Sequence, residues 1–222
     1  MIIATDLEGV LIPEIWIQVG ERYDIEELRK TTREISDFKK LMKHRIKVLQ
    51  KEGLRLRDLQ KVARDVMAFP GSVEFLSWAR RQGQVMIISD TFHELTDELI
   101  WEMGGYNLFA NRFITNDEGF ITGFRLRIRG RKWRVLEKLR KSGFFVTAIG
   151  DSYNDLSMLK RADHPILINP PESLTENHPE IPVVNDFDDI RESILSLSEH
   201  ELDIPVSEAP HKRQNGKTTL SN

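Results

Sequence analysis

Apolar and polar positions along this chain fall into blocks whose period changes twice. Three short runs rich in Ile and Val are each about one strand long: Ile2-Ile3-Ala4, Val85-Met86-Ile87-Ile88 and Phe144-Phe145-Val146-Thr147-Ala148-Ile149. Their near-continuous apolar character is that of parallel strands covered on both faces. After a turn at Gly9 to Pro13 the strand signal vanishes. From Glu14 to about Val66, positions such as Leu41, Arg45, Val48 and Leu49 recur at helical spacing through dense Lys, Arg and Glu, which predicts three or four helices. Phe69-Pro70-Gly71-Ser72 reads as a turn and an N-cap, with a helix to about Gln82.

Beyond that point strands and helices alternate. The pattern predicts a strand ending before Ser89, a helix over His93–Met103, a strand near Phe109–Ile114 and a hairpin over Gly119–Arg127. It continues with a helix over Arg131–Lys141, a strand before Asp151, a helix over Ser157–Arg161, a strand at Pro165–Ile168 and a helix over Phe187–Leu197. Such alternation implies an α/β fold with a doubly wound parallel sheet. The implied organisation is a core of residues 1–13 and 69–199, an inserted helical cap of residues 14–68, and a tail of residues 200–222 too poor in apolar residues to fold alone.

Each of the three apolar runs leads into a terse acidic loop: Asp6-Leu7-Glu8-Gly9, Ser89-Asp90-Thr91 and Gly150-Asp151-Ser152-Tyr153-Asn154-Asp155. If the strands are parallel neighbours, these loops meet at one sheet edge, where open α/β folds place their ligands. Asp6, Glu8, Asp90, Asp151 and Asp155 would then repel one another unless a cation sat among them. Oxygen-only ligands favour a hard ion such as Mg²⁺. Any one strand-end Asp can instead be a helix N-cap, and Lys132 alone can be a solvated side chain. Three related loops with a lysine are better explained by phosphoryl chemistry. An ionised Asp can attack phosphorus, an acid two residues on can protonate the leaving alcohol, and Lys132 can stabilise developing charge. Ser89, Thr91 and backbone N–H groups supply neutral donors to phosphate oxygens.

The remaining composition narrows the class. A chain of 222 residues with 40% hydrophobic and 30% charged residues suits one α/β domain with an insertion. A net charge of −3 argues against a nucleic-acid surface. No apolar run approaches the ~20 residues of a membrane span. The strand starting at Ile2 leaves no room for a cleaved signal peptide, and the chain has no Cys, so a soluble cytoplasmic protein is expected. The His residues show no metal-ligand spacing, Trp16, Trp78, Trp101 and Trp133 read as packing residues, and no G-x-x-x-x-G-K-[ST] loop is present.

The loops, Lys132, their order and the helical insertion after the first loop together resemble the four motifs of the haloacid dehalogenase superfamily. From Met1 to about Leu197 the chain is similar to the phosphoserine phosphatases, and most to the bifunctional phosphoserine phosphatase/phosphoserine–homoserine phosphotransferase branch. The resemblance implies Asp6 as nucleophile, Glu8 as acid/base and Mg²⁺ held by Asp6, the Glu8 carbonyl and Asp151, with Asp155 in support. It implies phosphate binding by Ser89, Lys132 and Asn154 beside Asp90 and Thr91, and a grip on the amino acid by Glu14 and Arg45. A carboxylate for the α-ammonium and an arginine fork for the α-carboxylate make chemical sense. Glu8 stands where most members carry Asp, and Asp90-Thr91 where most phosphoserine phosphatases carry two glycines. Both departures occur in the bifunctional branch. The substrates implied are phosphoserine and homoserine, with no nucleic acid or membrane as partner and a homodimer left open. The alternatives are a phosphatase for another small phosphomonoester, a catalytically silent binding module, and a receiver-type signalling domain. A receiver needs no cap and does not carry its phosphorylated Asp on the first strand.

Overall fold

The computed structural model describes residues 1–32, 34–35, 37–127 and 132–200. Strands β1 (Ile2–Thr5), β2 (Gln84–Phe92), β3 (Asn107–Thr115), β4 (Ile121–Arg125), β5 (Val146–Gly150), β6 (His164–Ile168) and β7 (Val183–Val184) form one sheet in the order β4-β3-β2-β1-β5-β6-β7. Every neighbouring pair is parallel except β3 and β4. The doubly wound α/β expectation holds.

β1 sits at the centre because all four of its residues can be buried. Its side chains leave the sheet alternately. Ile3 joins a core cluster with Phe75 of α5 (Ser72–Gln82), Ile100 of α6 (His93–Glu102) and Ile190 of α10 (Phe187–His200). Ile2 and Ala4 join a second cluster with Leu136 of α7 (Trp133–Lys141), Met158 of α8 (Leu156–Leu159) and Leu174 of α9 (Glu172–Asn177). Each fully buried Ile or Leu contributes roughly 1.5–3 kcal/mol, so the two-sided apolar run is what pins β1 between its neighbours. The chain goes from β1 to β2 on one side and returns to β5 on the other, so the strand order reverses at β1. Crevices of this kind are where doubly wound sheets bind ligands.

Between β1 and α5 stand α1 (Ile15–Arg22), α2 (Glu26–Arg29), α3 (Phe38–Lys51) and α4 (Leu56–Asp65). α3 begins where the Asp37 carboxylate accepts hydrogen bonds from the Lys39 and Lys40 N–H groups. It buries Leu41, Met42, Arg45, Ile46 and Leu49, one stripe of the helix. These helices dock on the β3–β4 hairpin. Gln50 Nε2 donates to the Ile121 carbonyl at 3.0 Å, and the Leu56 N–H to the Gly119 carbonyl at 3.0 Å. Phe113 and Phe124, paired across the hairpin, take Trp16 and Phe38 edge-on, each with ring centroids 6.4 Å apart.

Several elements differ from expectation. β2 does not stop before Ser89 but runs to Phe92, with an irregularity in its ladder to β3 between Ile88 and Phe92. α9 and β7 were not foreseen, because α9 follows Pro170-Pro171 and buries Leu174 alone, and β7 is two residues long. Trp101 is not a packing residue: it is 80% exposed on α6, whose inner face is already filled by Leu95, Thr96, Leu99 and Ile100. α10 ends at His200, while residues 201–222 of the expected tail and Arg131, the expected start of α7, lie outside the described residues. No helix among the described residues is long and apolar enough to cross a membrane.

Candidate active site

The register of the central strands places the first and third acidic loops side by side. Thr5 pairs with both Ile87 and Ile149, and the Asp6 N–H donates to the Ile149 carbonyl at 3.0 Å. Asp6 therefore leaves the end of β1 next to Gly150-Asp151. The second loop arrives by another route. In the β2–β3 ladder, Ile88 pairs with Phe109 and Phe92 with Asn111, so Ser89, Asp90 and Thr91 stand opposite one residue, Ala110. Excess residues on one strand are left out of the ladder, and this one projects toward the site. Asn111, fully buried, braces it by donating from Nδ2 to the Asp90 carbonyl at 2.7 Å and accepting the Arg127 N–H at 3.2 Å. Nothing in the sequence reading marked Asn111. The available signal was an amide inside the apolar run Leu108-Phe109-Ala110.

At the centre of the edge is Lys132. Its buried ammonium lies 2.6 Å from Asp6 Oδ2 and 2.8 Å from Asp155 Oδ1. The other Asp155 oxygen accepts the Asp151 and Ser152 N–H groups at 3.2 and 3.3 Å and the Ser152 hydroxyl at 3.2 Å. Asp155 thus holds both the lysine and its own loop. Asp6 Oδ1 accepts the Leu7 N–H at 2.7 Å. Asp151 Oδ1 is buried with no hydrogen-bond partner among the described residues. Close approach needs two glycines. A Cβ on Gly9, at φ +83°, would collide with the Asp151 carboxylate, and a Cβ on Gly150 with the Asp155 side chain.

The electrostatics follow from one cation among several anions. Burial opposes the charge on Lys132, but Asp155, Asp6 and Asp90 outweigh it and hold the ammonium protonated well above its ordinary range. One lysine cannot balance them all. Burial and then Asp155 push Asp6 well above the usual carboxylate range despite Lys132, and the same two causes push Asp151 up to about 7. Burial also raises Asp90. Oxygens of Asp6, Asp151 and Asp155 lie within 4.8 Å of one another. Excess buried negative charge, an unpartnered carboxylate oxygen and an all-oxygen donor set together fit a hard divalent cation.

Glu8 points away from this cluster toward α1, where its Oε1 accepts the Ile15 N–H at 2.8 Å. Burial, and next the neighbouring Glu14, raise its carboxyl to about 8. Glu8 and Glu14 line one pocket with Asp6, Ser89, Asp90, Thr91, Lys132, Asn154 and Arg45. Asp151 and Asp155 are not among its lining residues. Asn154 donates from Nδ2 to Thr32 Oγ1 at 3.1 Å, joining the third loop to the cap. Arg45 is buried, not solvated. Its Nη2 donates to the Lys30 carbonyl at 2.6 Å, and its guanidinium lies over the Trp16 ring, 4.5 Å from the centroid. Burial lowers its pKa to about 10, which still leaves it charged at neutral pH. Ser152 also lines the pocket, and from the cap Trp16, Thr31, Thr32, Phe38 and Leu41 add to the wall. The sequence reading had assigned none of these five to the site, because the cap's backbone path alone brings them there.

Known proteins resemble this chain in sequence and in fold. The family model for haloacid dehalogenase-like hydrolases matches residues 9–160. The chain is 39% identical over 197 residues to a phosphoserine phosphatase of Pseudomonas syringae pv. tomato, covering 89% of this chain and 83% of the relative. It is 37% identical over 199 residues to the phosphoserine phosphatase ThrH of Pseudomonas aeruginosa, covering 90% and 97%. A crystal structure of a phosphoserine phosphatase in apo form superposes with TM-score 0.72 at 22% identity, covering 86% of this chain and 97% of that one. A phospho-aspartyl intermediate analogue of phosphoserine phosphatase gives TM-score 0.70 at 22% identity, with the same coverage. At that identity the two structures speak for the fold.

Proposed function

This chain belongs to the haloacid dehalogenase-like hydrolase family, and we propose that within it the chain is a Mg²⁺-dependent phosphoserine phosphatase working through an aspartyl-phosphate on Asp6. The observation that carries this reading is the pocket that a buried arginine, Arg45, and a half-buried glutamate, Glu14, share with Asp6 and Glu8. A phosphate ester with an α-ammonium and an α-carboxylate matches that set group by group.

In the first step an Asp6 carboxylate oxygen forms a bond to phosphorus as the bond from phosphorus to the serine oxygen breaks. Glu8, kept protonated near neutrality by burial and by Glu14, delivers its proton to that oxygen. In the second step a water oxygen bonds to phosphorus, its proton returns to Glu8, and the Asp6 carboxylate leaves. Splitting the transfer in two is the usual benefit of covalent catalysis. Lys132 keeps its charge beside the phosphoryl oxygens, and the Ser89 and Thr91 hydroxyls, projected by the irregularity in β2, are the neutral donors. Mg²⁺ would be held by Asp6, Asp151 and the Glu8 carbonyl, with Asp155 behind them, and would supply charge neutralisation that keeps Asp6 ionised. Homoserine is a second acceptor in this reading. It presents the same ammonium and carboxylate to Glu14 and Arg45, and a bound alcohol has a large effective concentration over loosely held water.

The test is a screen of phosphomonoesters with purified protein, with Mg²⁺ and with excess chelator. Phosphoserine should be the preferred substrate, and activity should disappear in chelator. Preference for a phosphomonoester lacking the amino-acid groups overturns the substrate, and full activity in chelator overturns the metal. Adding millimolar homoserine and following products by phosphorus NMR should reveal phosphohomoserine; inorganic phosphate alone leaves hydrolysis as the whole reaction.

A further inference from the structure

Arg45 is attracted by the charges of Glu8, Glu14 and Glu34, and its hydrogen bonds leave part of the guanidinium to be held by packing. One nitrogen donates to the Lys30 carbonyl, another approaches the Met42 sulfur at 3.9 Å, and Nε has no partner among the described residues. Its guanidinium lies over the face of Trp16, itself only 3% exposed. Trp16 in turn reaches from the cap to the core. Its ring meets Phe113 of β3 edge-on, with an interplanar angle of 82°, and Phe113 stacks on Phe92 at 3.7 Å and 5°. Phe92 immediately follows Thr91. An unbroken file of rings therefore runs from the strand that presents Ser89, Asp90 and Thr91 to the arginine in the cap.

From this file we infer that Trp16 is a positioning residue for substrate specificity: it holds the Arg45 guanidinium at a set distance from the phosphate loop, and so measures the separation between phosphate and carboxylate in the substrate. The inference rests on the phosphoserine reading above. A cation over an aromatic face is held best by Trp, less by Phe and not at all by an aliphatic side chain, and such contacts strengthen when desolvated. Edge-to-face and stacked rings transmit position because they tolerate little sliding. If Trp16 served packing alone, its loss would weaken all substrates alike.

The experiment compares phosphoserine with O-phosphoethanolamine, which keeps the phosphate and ammonium but lacks the carboxylate. KM and kcat are measured for wild type, Trp16→Phe, Trp16→Leu, Arg45→Ala and the Trp16→Leu/Arg45→Ala pair. Trp16→Leu should raise KM for phosphoserine about tenfold, with at most a threefold change in its kcat and in KM for phosphoethanolamine. Trp16→Phe should shift the same ratio in the same direction by a smaller factor, and it carries the test if the Leu variant does not fold. On the Arg45→Ala background, Trp16→Leu should add less than about twofold, because the residue it positions is gone. Equal losses on both substrates, or additive effects in the double variant, overturn the inference. A wild type with no preference for phosphoserine over phosphoethanolamine overturns the substrate reading and this inference with it. A wild-type preference that survives both Trp16 variants overturns the inference alone.

Discussion

The acidic edge of the sheet and the cap above it are built on different length scales. At the edge, side chains are held by their own neighbours in sequence. Asp6 accepts the N–H of Leu7, Thr91 donates its N–H to Ser89 Oγ, and Asp155 gathers the N–H groups of Asp151 and Ser152. In the cap, the contacts that matter cross from one part of the chain to another: Arg45 to Lys30, Trp16 to Phe113, Gln50 to Ile121, Asn154 to Thr32. A loop that organises itself can stay the same while the cap above it varies. In the proposed function the reacting groups belong to the edge, and the choice of substrate to the inserted helices. Longer-range support comes from Lys132, at the start of α7, which meets Asp6 and Asp155, and from Asn111, which braces Asp90.

The sharpest way to test this division is to disable the edge without disturbing the cap. Asp6→Asn should cut kcat by more than ~10³-fold, since the amide is nearly isosteric but a poor nucleophile. Circular dichroism should show the fold intact, and a variant keeping a tenth of wild-type turnover would exclude Asp6 as nucleophile. Lys132→Met probes the buried ion pairs of the edge. Removing the ammonium leaves Asp6 and Asp155 buried without their cation, a loss of about 3–5 kcal/mol in stability together with turnover. Urea unfolding measures it, and a change below about 1 kcal/mol would mean that the carboxylates find other partners.

On the cap side the effect should be selective and not general. Arg45→Ala should weaken phosphoserine by the ~1.5–3 kcal/mol of a charge-assisted contact, while a phosphomonoester without a carboxylate loses far less. Steady-state kinetics on both substrates decide, and equal losses would place Arg45 among the residues that merely fold the cap. The smallest effect expected lies outside both regions. Deleting residues 201–222 should leave turnover within about twofold, because that segment has no apolar stripe to dock on the core; a melting point lower by many degrees would show that it does dock.

The two regions were also unequally legible. The strands of the core could be placed because continuous Ile and Val runs have few alternatives, and their acidic loops because Asp, Ser and Gly at strand ends carry local chemistry. The apolar run predicts that β2 ends before Ser89, since a two-residue excess in a ladder leaves no trace in hydrophobic period. β7 and α9 were too short for a pattern to emerge. Arg45 could be seen in the apolar stripe of α3 but not distinguished by periodicity from a solvated cation, and Trp16, Thr31 and Thr32 gave no sign of facing the site. Trp101 was read as buried for its residue type, although the helix it sits on had already filled its inner face.

By itself the sequence determined the longer strands of the core, the order in which they occur, and the identities of the groups that can do phosphoryl chemistry. These follow from side-chain character and from contacts a few residues apart, which survive any arrangement of the rest. Tertiary structure alone decided that β1 would lie between β2 and β5, that Lys132 would settle between Asp6 and Asp155, and that Arg45 would close over the same pocket with Trp16 beneath it. Those outcomes depend on which buried faces meet, a property of the packed whole that no window of sequence contains.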